Sequence, residues 1–201
     1  MNLPNKLTVA RIIATPIFMF AMITSFPGHY IVALVIFALA SYTDYLDGKI
    51  ARRDGLVTDF GKFLDPLADK MLTTAAFLAF LAKGFGWGIA WVLFIVLFRE
   101  FMIASLRLVA VSSEVKKVIP ANMWGKVKTV TQMIAIIFGI ALLYFAESIL
   151  PMLNLSWTVS VNTINVLYIV YCVLLWVSTV VAVISGAIYM KDSFEFIDPS
   201  K

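Results

Sequence analysis

Cysteine and histidine are almost missing from this chain: Cys172 and His29 are single occurrences among 201 residues. Cys172 sits in an apolar run, which excludes an intrachain disulfide and a thiol metal centre and leaves a small apolar filler. Charge is scarce too. Only 14% of residues are charged against 62% hydrophobic, whereas a soluble domain carries about a quarter charged residues. An ordinary soluble fold is therefore excluded, and the composition is that of a polytopic, all-α membrane protein. The start, Met1 to Lys6, lacks a signal-peptide pattern, because one Lys precedes the apolar run and no small-residue cleavage site follows. The first apolar segment is expected to be retained. No internal repeat, low-complexity tract or second domain breaks the chain, so residues 1–201 read as one integral-membrane domain.

A spanning helix needs about 20 mostly apolar residues. Six such runs occur at roughly 8–25, 30–47, 63–82, 88–110, 126–146 and 165–189. Ser25 to Gly28 and Lys83 to Gly88 punctuate the first two outer turns, and Ser148 to Ile164, with Pro151, Asn154 and Asn162, separates the last two runs. An even number of spans puts both termini on one side. Lysines and arginines, Lys6, Arg11, Lys49, Arg52 and Lys191 among them, gather at the termini and on the second and fourth connections, while Lys83 is the only basic residue in the opposite loops. By the positive-inside rule, the termini and the second connection are cytoplasmic. The net charge of +4 thus reports topology and contact with anionic lipid, and no nucleic-acid partner is expected. Trp87, Trp91 and Trp157 suit an interfacial belt near the outer ends. The N-terminal residues 2–8 and the connection from Ile50 to Gly61 are expected to lie along the cytoplasmic interface, the former as a short amphipathic segment.

Against this background stand four aspartates, Asp44, Asp47, Asp65 and Asp69, a third of the twelve acids gathered within 26 residues. An ionised carboxylate at membrane depth is costly, roughly 2.5–3.5 kcal/mol at a helix centre on insertion scales, so such groups pair, line water or bind cations. Residues three or four apart on a helix share a face. Each pair therefore presents two carboxylates in one direction, and consecutive antiparallel helices would bring the pairs together. Four converging anions repel unless balanced, and two divalent ions would balance them. Oxygen ligands with no nearby His or Cys select hard cations, Mg²⁺ or Mn²⁺. Paired ions of this kind commonly clamp a phosphoryl group during in-line displacement. Gly48, Ala51 and Gly61 are small where helices or a substrate come close, and Arg52, four after Gly48, is placed to fork onto a phosphate.

The run Asp44-Tyr45-Leu46-Asp47-Gly48-Lys49-Ile50-Ala51-Arg52, followed after eight residues by Gly61, after three more by Asp65 and after three more by Asp69, resembles the signature of the CDP-alcohol phosphotransferases, D-x2-D-G-x2-A-R-x8-G-x3-D-x3-D, at every fixed position. The resemblance implies six transmembrane helices with an active-site cavity open to the cytoplasmic side of a bacterial plasma membrane, and homodimers, which are common among relatives. It implies that Asp44, Asp47, Asp65 and Asp69 bind two divalent cations and that Asp69 also acts as general base. Gly48 and Arg52 fall at positions contacting CDP. The implied reaction is attack by an alcohol on the lipid-linked phosphorus of CDP-diacylglycerol, with CMP leaving.

Within the family, the opening Asn2 to Arg11, the stretch Thr58 to Lys70, Arg99-Glu100 and Gly125 to Thr129 resemble the branch whose acceptor is sn-glycerol-3-phosphate. A phosphorylated acceptor carries about two negative charges and asks for cations beyond those that set topology. Arg99 and Arg107, eight apart inside the fourth run, are not explained by topology. Arg99 has the alternative of pairing with Glu100, and Lys126 and Lys128 fit either an acceptor phosphate or the positive-inside pattern. Asn5, Thr8 and Thr58 suit either the nucleotide or helix caps. Inositol phosphate, serine or phosphatidylglycerol as acceptor would use the same chemistry. An intramembrane prenyltransferase would put its acid motifs on well-separated helices, and a divalent-cation transporter has no need of Gly48, Ala51, Arg52 and Gly61 at these spacings. His29 falls at the opposite end of the second span from the acids, away from the chemistry.

Overall fold

The structure is a computed structural model and describes residues 2–53, 58–112, 123–153 and 157–193. Six α-helices follow one another: α1 Leu3–Ile23, α2 His29–Arg53, α3 Asp59–Ala82, α4 Ile89–Ser112, α5 Met123–Tyr144 and α6 Trp157–Ser193. A π-helical turn, Phe145–Ile149, and a 3₁₀ turn, Leu150–Leu153, continue α5. No strand occurs among the described residues.

Each apolar run becomes one helix, but the ends differ. α1 starts at Leu3, so the N-terminal residues continue it instead of forming a separate segment. The Asn2 side chain accepts from the Asn5 N–H at 3.1 Å, and Pro4 stands in the first turn, where its missing N–H costs nothing. α2 runs on through Lys49 to Arg53, which shortens the expected Ile50–Gly61 connection; residues 54–57 lie outside the described residues. α6 begins at Trp157, inside the stretch read as a separator.

Among the described residues, four stretches are long and apolar enough to cross a membrane: Leu3–Ile23, Ile89–Val109, Met123–Leu153 and Ser160–Ser193. α2 contributes a shorter apolar stretch, His29–Asp44, and α3 is interrupted by Asp65, Asp69 and Lys70. The two helices that carry the acids are thus the least apolar, as charge inside an apolar scaffold requires.

The helices pack around a shared core of Phe18, Met22, Phe37, Phe77, Phe80, Ile136, Ile140, Tyr171 and Leu175. α1 lies against both α2 and α3, α6 against α4 and α5, and α2 against α5. Phe94, Phe98, Val173 and Val180 point outward and are exposed, as lipid-facing side chains are. Gly88 makes the turn into α4 at φ +70°, a region that side chains with a Cβ rarely adopt, and a Cβ there would stand 2.8 Å from the Trp176 ring. Trp87 and Trp91 are exposed near this turn, and the Trp176 indole donates to the Trp87 carbonyl at 3.0 Å. The Trp157 side chain lies outside the described residues.

Candidate active site

α2 and α3 touch little, so their acids are not brought together by direct packing of consecutive helices. α1 arranges them. Asn5, Thr8 and Arg11 recur every three residues, all at most 6% exposed, and form a buried polar stripe on an otherwise apolar helix. Each meets a residue of the acid-bearing helices. Asn5 Nδ2 donates to Thr58 Oγ1 at 2.9 Å, Thr8 Oγ1 donates to Asp65 Oδ1 at 2.7 Å, and the Arg11 guanidinium pairs with Asp44. Thr58 also caps α3 by accepting from the Gly61 N–H at 3.0 Å. A Cβ at Gly61 would stand 2.8 Å from Asn5 Oδ1, closer than a real Cβ tolerates, so the absence of a side chain is what lets α3 start against α1.

A cavity of about 520 Å³ opens beside this seam. Asp44 of α2 and Asp65 and Asp69 of α3 line it, together with Lys70. α4 contributes Arg99, Glu100 and Arg107, α5 contributes Gly125, Lys126, Lys128 and Thr129, and α6 contributes Ser185 and Tyr189. Three of the four motif aspartates and the candidate acceptor cations Arg99, Arg107, Lys126 and Lys128 therefore face one space. The side chains of Asp47, Ala51 and Arg52, and Gly48, lie outside what is described, although α2 carries their backbone.

The cationic part is tightly cross-linked. Glu100 receives Lys128 Nζ at 2.6 Å and Arg99 Nη1 at 2.8 Å on the same oxygen, Oε1, and Lys70 Nζ lies 3.6 Å from Oε2. Two cations sharing one oxygen stand roughly 5 Å apart and would repel by about 3 kcal/mol at an effective dielectric near 20. Glu100 offsets that repulsion. Arg99 Nη2 also donates to Ser185 Oγ at 2.7 Å, and the arginine stem passes over Gly186, where a Cβ would come within 3.0 Å of Arg99 Cγ. One turn beyond Ser185 on α6, the Tyr189 hydroxyl accepts from Arg107 Nε at 3.2 Å, and the Arg107 guanidinium lies 5.6 Å from the Tyr189 ring centroid. Arg99 and Arg107 thus find partners four apart on one face of α6. The pairing of Arg99 with Glu100 and a place in the cavity, posed as alternatives from sequence, occur together.

As donors, the described acids supply carboxylate oxygens, which fit a hard divalent cation. No three acids, histidines or cysteines close on a common point among the described residues, and Asp47 is not among them. His29 sits at the far end of α2, with Nδ1 3.0 Å from the Ala21 carbonyl.

Sequence reasoning missed several lining residues. The charge pattern alone makes Arg11 a topological cation, yet it is 2% exposed and holds Asp44. Its position inside the first apolar run was the same signal that marked Arg99 and Arg107. Lys70 and Glu100 adjoin recognised residues, but nothing in their spacing points to a shared ion-pair cluster. Ser185 and Tyr189 carry no signal above the composition of α6.

Comparison with known proteins matches residues 1–184 to the family described as CDP-alcohol phosphatidyltransferase. The chain is 36% identical over 211 aligned positions to the CDP-diacylglycerol–glycerol-3-phosphate 3-phosphatidyltransferase of Bacillus subtilis (strain 168), covering 99% of this chain and 98% of that protein. It is 36% identical to the protein of the same name from Rickettsia bellii, covering 94% of each chain. The Mycoplasma pneumoniae protein of that name is 33% identical, with 98% of this chain and 89% of that protein covered. Members of the family generally use divalent metal ions.

Proposed function

Because the chain belongs to the CDP-alcohol phosphatidyltransferase family, we propose that it transfers the phosphatidyl group of CDP-diacylglycerol to sn-glycerol-3-phosphate, forming phosphatidylglycerophosphate and CMP. It is a membrane-embedded transferase of phospholipid biosynthesis. One observation carries the reading: a single cavity holds Asp44 of α2, Asp65 and Asp69 of α3 and cations of α4 and α5. The near full-length similarity to proteins named for this reaction supports the same acceptor.

In this reading, Asp44, Asp47, Asp65 and Asp69 hold two divalent cations, Mg²⁺ or Mn²⁺. When bound, the ions neutralise charge on the reacting phosphate and on the departing CMP. Arg52 forks onto the diphosphate, Gly48 lets the nucleotide approach the α2 backbone, and Asn5, Thr8 and Thr58 border the CDP site at the α1–α3 seam. Arg99, Arg107 and Lys126 hold the acceptor phosphate, each charge-assisted hydrogen bond contributing about 1.5–3 kcal/mol. Asp69 takes the proton from the acceptor hydroxyl as its oxygen attacks the lipid-linked phosphorus. The phosphorus–oxygen bond to CMP breaks on the opposite side. A neutral alcohol would leave this many cations without a counter-charge, which is why a phosphorylated acceptor is preferred.

The reading places six spans in a bacterial plasma membrane, with the termini and cavity cytoplasmic, and assembles the chain as a homodimer. Basic residues at the cavity end support the orientation. A panel of alcohols offered with CDP-diacylglycerol tests the acceptor. sn-Glycerol-3-phosphate is expected to be consumed with release of CMP, while inositol phosphate, serine and phosphatidylglycerol stay untouched; preferential use of any of these three overturns the assignment.

A further inference from the structure

Glu100 stands apart among the cavity's carboxylates. Asp44, Asp65 and Asp69 belong to the aspartate motif, whereas Glu100 is buried among cations from three directions: Lys128 of α5 at 2.6 Å, Arg99 beside it on α4 at 2.8 Å and Lys70 of α3 at 3.6 Å. Arg99 is anchored a second time by Ser185 of α6. One carboxylate therefore ties together α3, α4 and α5, and through Arg99 it reaches α6. Lys70 follows Asp69 directly, so the same cluster connects the proposed base to Arg99, one of the proposed acceptor cations. Three cations against one carboxylate leave the cluster itself net positive, the sign that complements a phosphate monoester dianion.

Building on the reaction proposed above, we infer that Glu100 is a positioning residue for the acceptor: it gathers Arg99, Lys128 and Lys70 into a preorganised clamp for a phosphate monoester and sets that clamp's distance from Asp69. Lysine and arginine side chains have many rotamers, and fixing them before the ligand arrives removes the ordering cost from binding. Without the carboxylate, neighbouring like charges splay apart. Incoming phosphate then has to gather them itself. Lys128 and Arg99 can turn donors toward the phosphate while keeping Glu100 as a second partner, because an ammonium has three donors and a guanidinium five.

Two physical effects give opposite signs, which makes the inference sharp. If Glu100 only diluted positive charge, its removal would strengthen attraction for an anion. If it positions the cations, its removal weakens binding. The experiment compares the detergent-solubilised full chain with Glu100→Gln and Ser185→Ala, measuring calorimetric binding of sn-glycerol-3-phosphate and of inorganic phosphate, and KM for each substrate. With Glu100→Gln, both anions are expected to bind about tenfold more weakly and the acceptor KM to rise in parallel, while the CDP-diacylglycerol KM stays within about twofold. Ser185→Ala, which spares every charge, is expected to weaken both anions about threefold. Tighter or unchanged anion binding in Glu100→Gln, or an equal rise in both KM values, overturns the inference. Should Glu100→Gln fail to fold, Ser185→Ala decides alone, and unchanged anion affinity in it overturns the inference. Wild-type protein that binds inorganic phosphate but transfers nothing to sn-glycerol-3-phosphate contradicts the proposed acceptor, while the response of phosphate binding to the two variants still decides the role of Glu100.

Discussion

Asp44, Asp65 and Asp69 are chemically alike but differently held. Arg11 pairs with Asp44 and Thr8 donates to Asp65, while Asp69 lines the cavity one helical turn from Asp65. The three aspartates were legible in the sequence because carboxylates in an apolar chain need a partner or a function. Arg11 was not, because a cation near a helix end already had a topological explanation. Its burial and its partner come from the folding of α1 onto α2, which no local pattern records. The ion pairs of Lys70 and Lys128 with Glu100 show the same limit, since they join three helices. At this scale the test is Asp69→Asn, which keeps shape and removes the base. Its kcat is expected to fall at least about 10²-fold with the melting temperature in detergent little changed. Near-normal CMP release by this variant contradicts the base assignment.

The helices themselves were largely legible, because six apolar runs separated by Gly, Pro and Asn became six helices in the same order. Their ends were less so. Asn162 reads as punctuation, yet α6 continues through it, because a long apolar helix packed on α4 and α5 outweighs a few tenths of a kcal/mol of local propensity. The role of α1 was not legible either, since its polar residues at three-residue spacing look like caps until the partners on α2 and α3 are seen. Gly61 gives this element-level account its test. A leucine there meets Asn5 and Thr58 and separates α3 from α1. Gly61→Leu is expected to destabilise the protein by about 1–3 kcal/mol, read as a lowered melting temperature, and to reduce activity because Asp65 moves away from Thr8. Unchanged stability and activity would show that the close approach is not needed.

For the whole molecule, the distribution of polarity matters more than any single contact. Large apolar side chains are exposed along α4 and α6, and charge is concentrated at the end that carries the cavity. The proposed orientation rests on the basic residues at the termini and on the second and fourth connections, against Lys83 alone in the opposite loops. With Cys172 replaced by serine, Lys83→Cys is expected to react with a membrane-impermeant maleimide in intact cells, and Lys191→Cys only after permeabilisation. The reverse pattern would turn the cavity away from the cytoplasm.

The central claim is that carboxylates and cations on opposite elements of one cavity join a lipid phosphate to a phosphorylated alcohol. The most direct measurement follows CDP-diacylglycerol labelled at the lipid-linked phosphorus, incubated with purified protein, sn-glycerol-3-phosphate and Mg²⁺. The account predicts that the label passes into phosphatidylglycerophosphate with one CMP released per lipid, that nothing is released without the acceptor, and that EDTA stops transfer until Mg²⁺ or Mn²⁺ is restored. Release of CMP without the acceptor, or transfer that continues in EDTA, would contradict it.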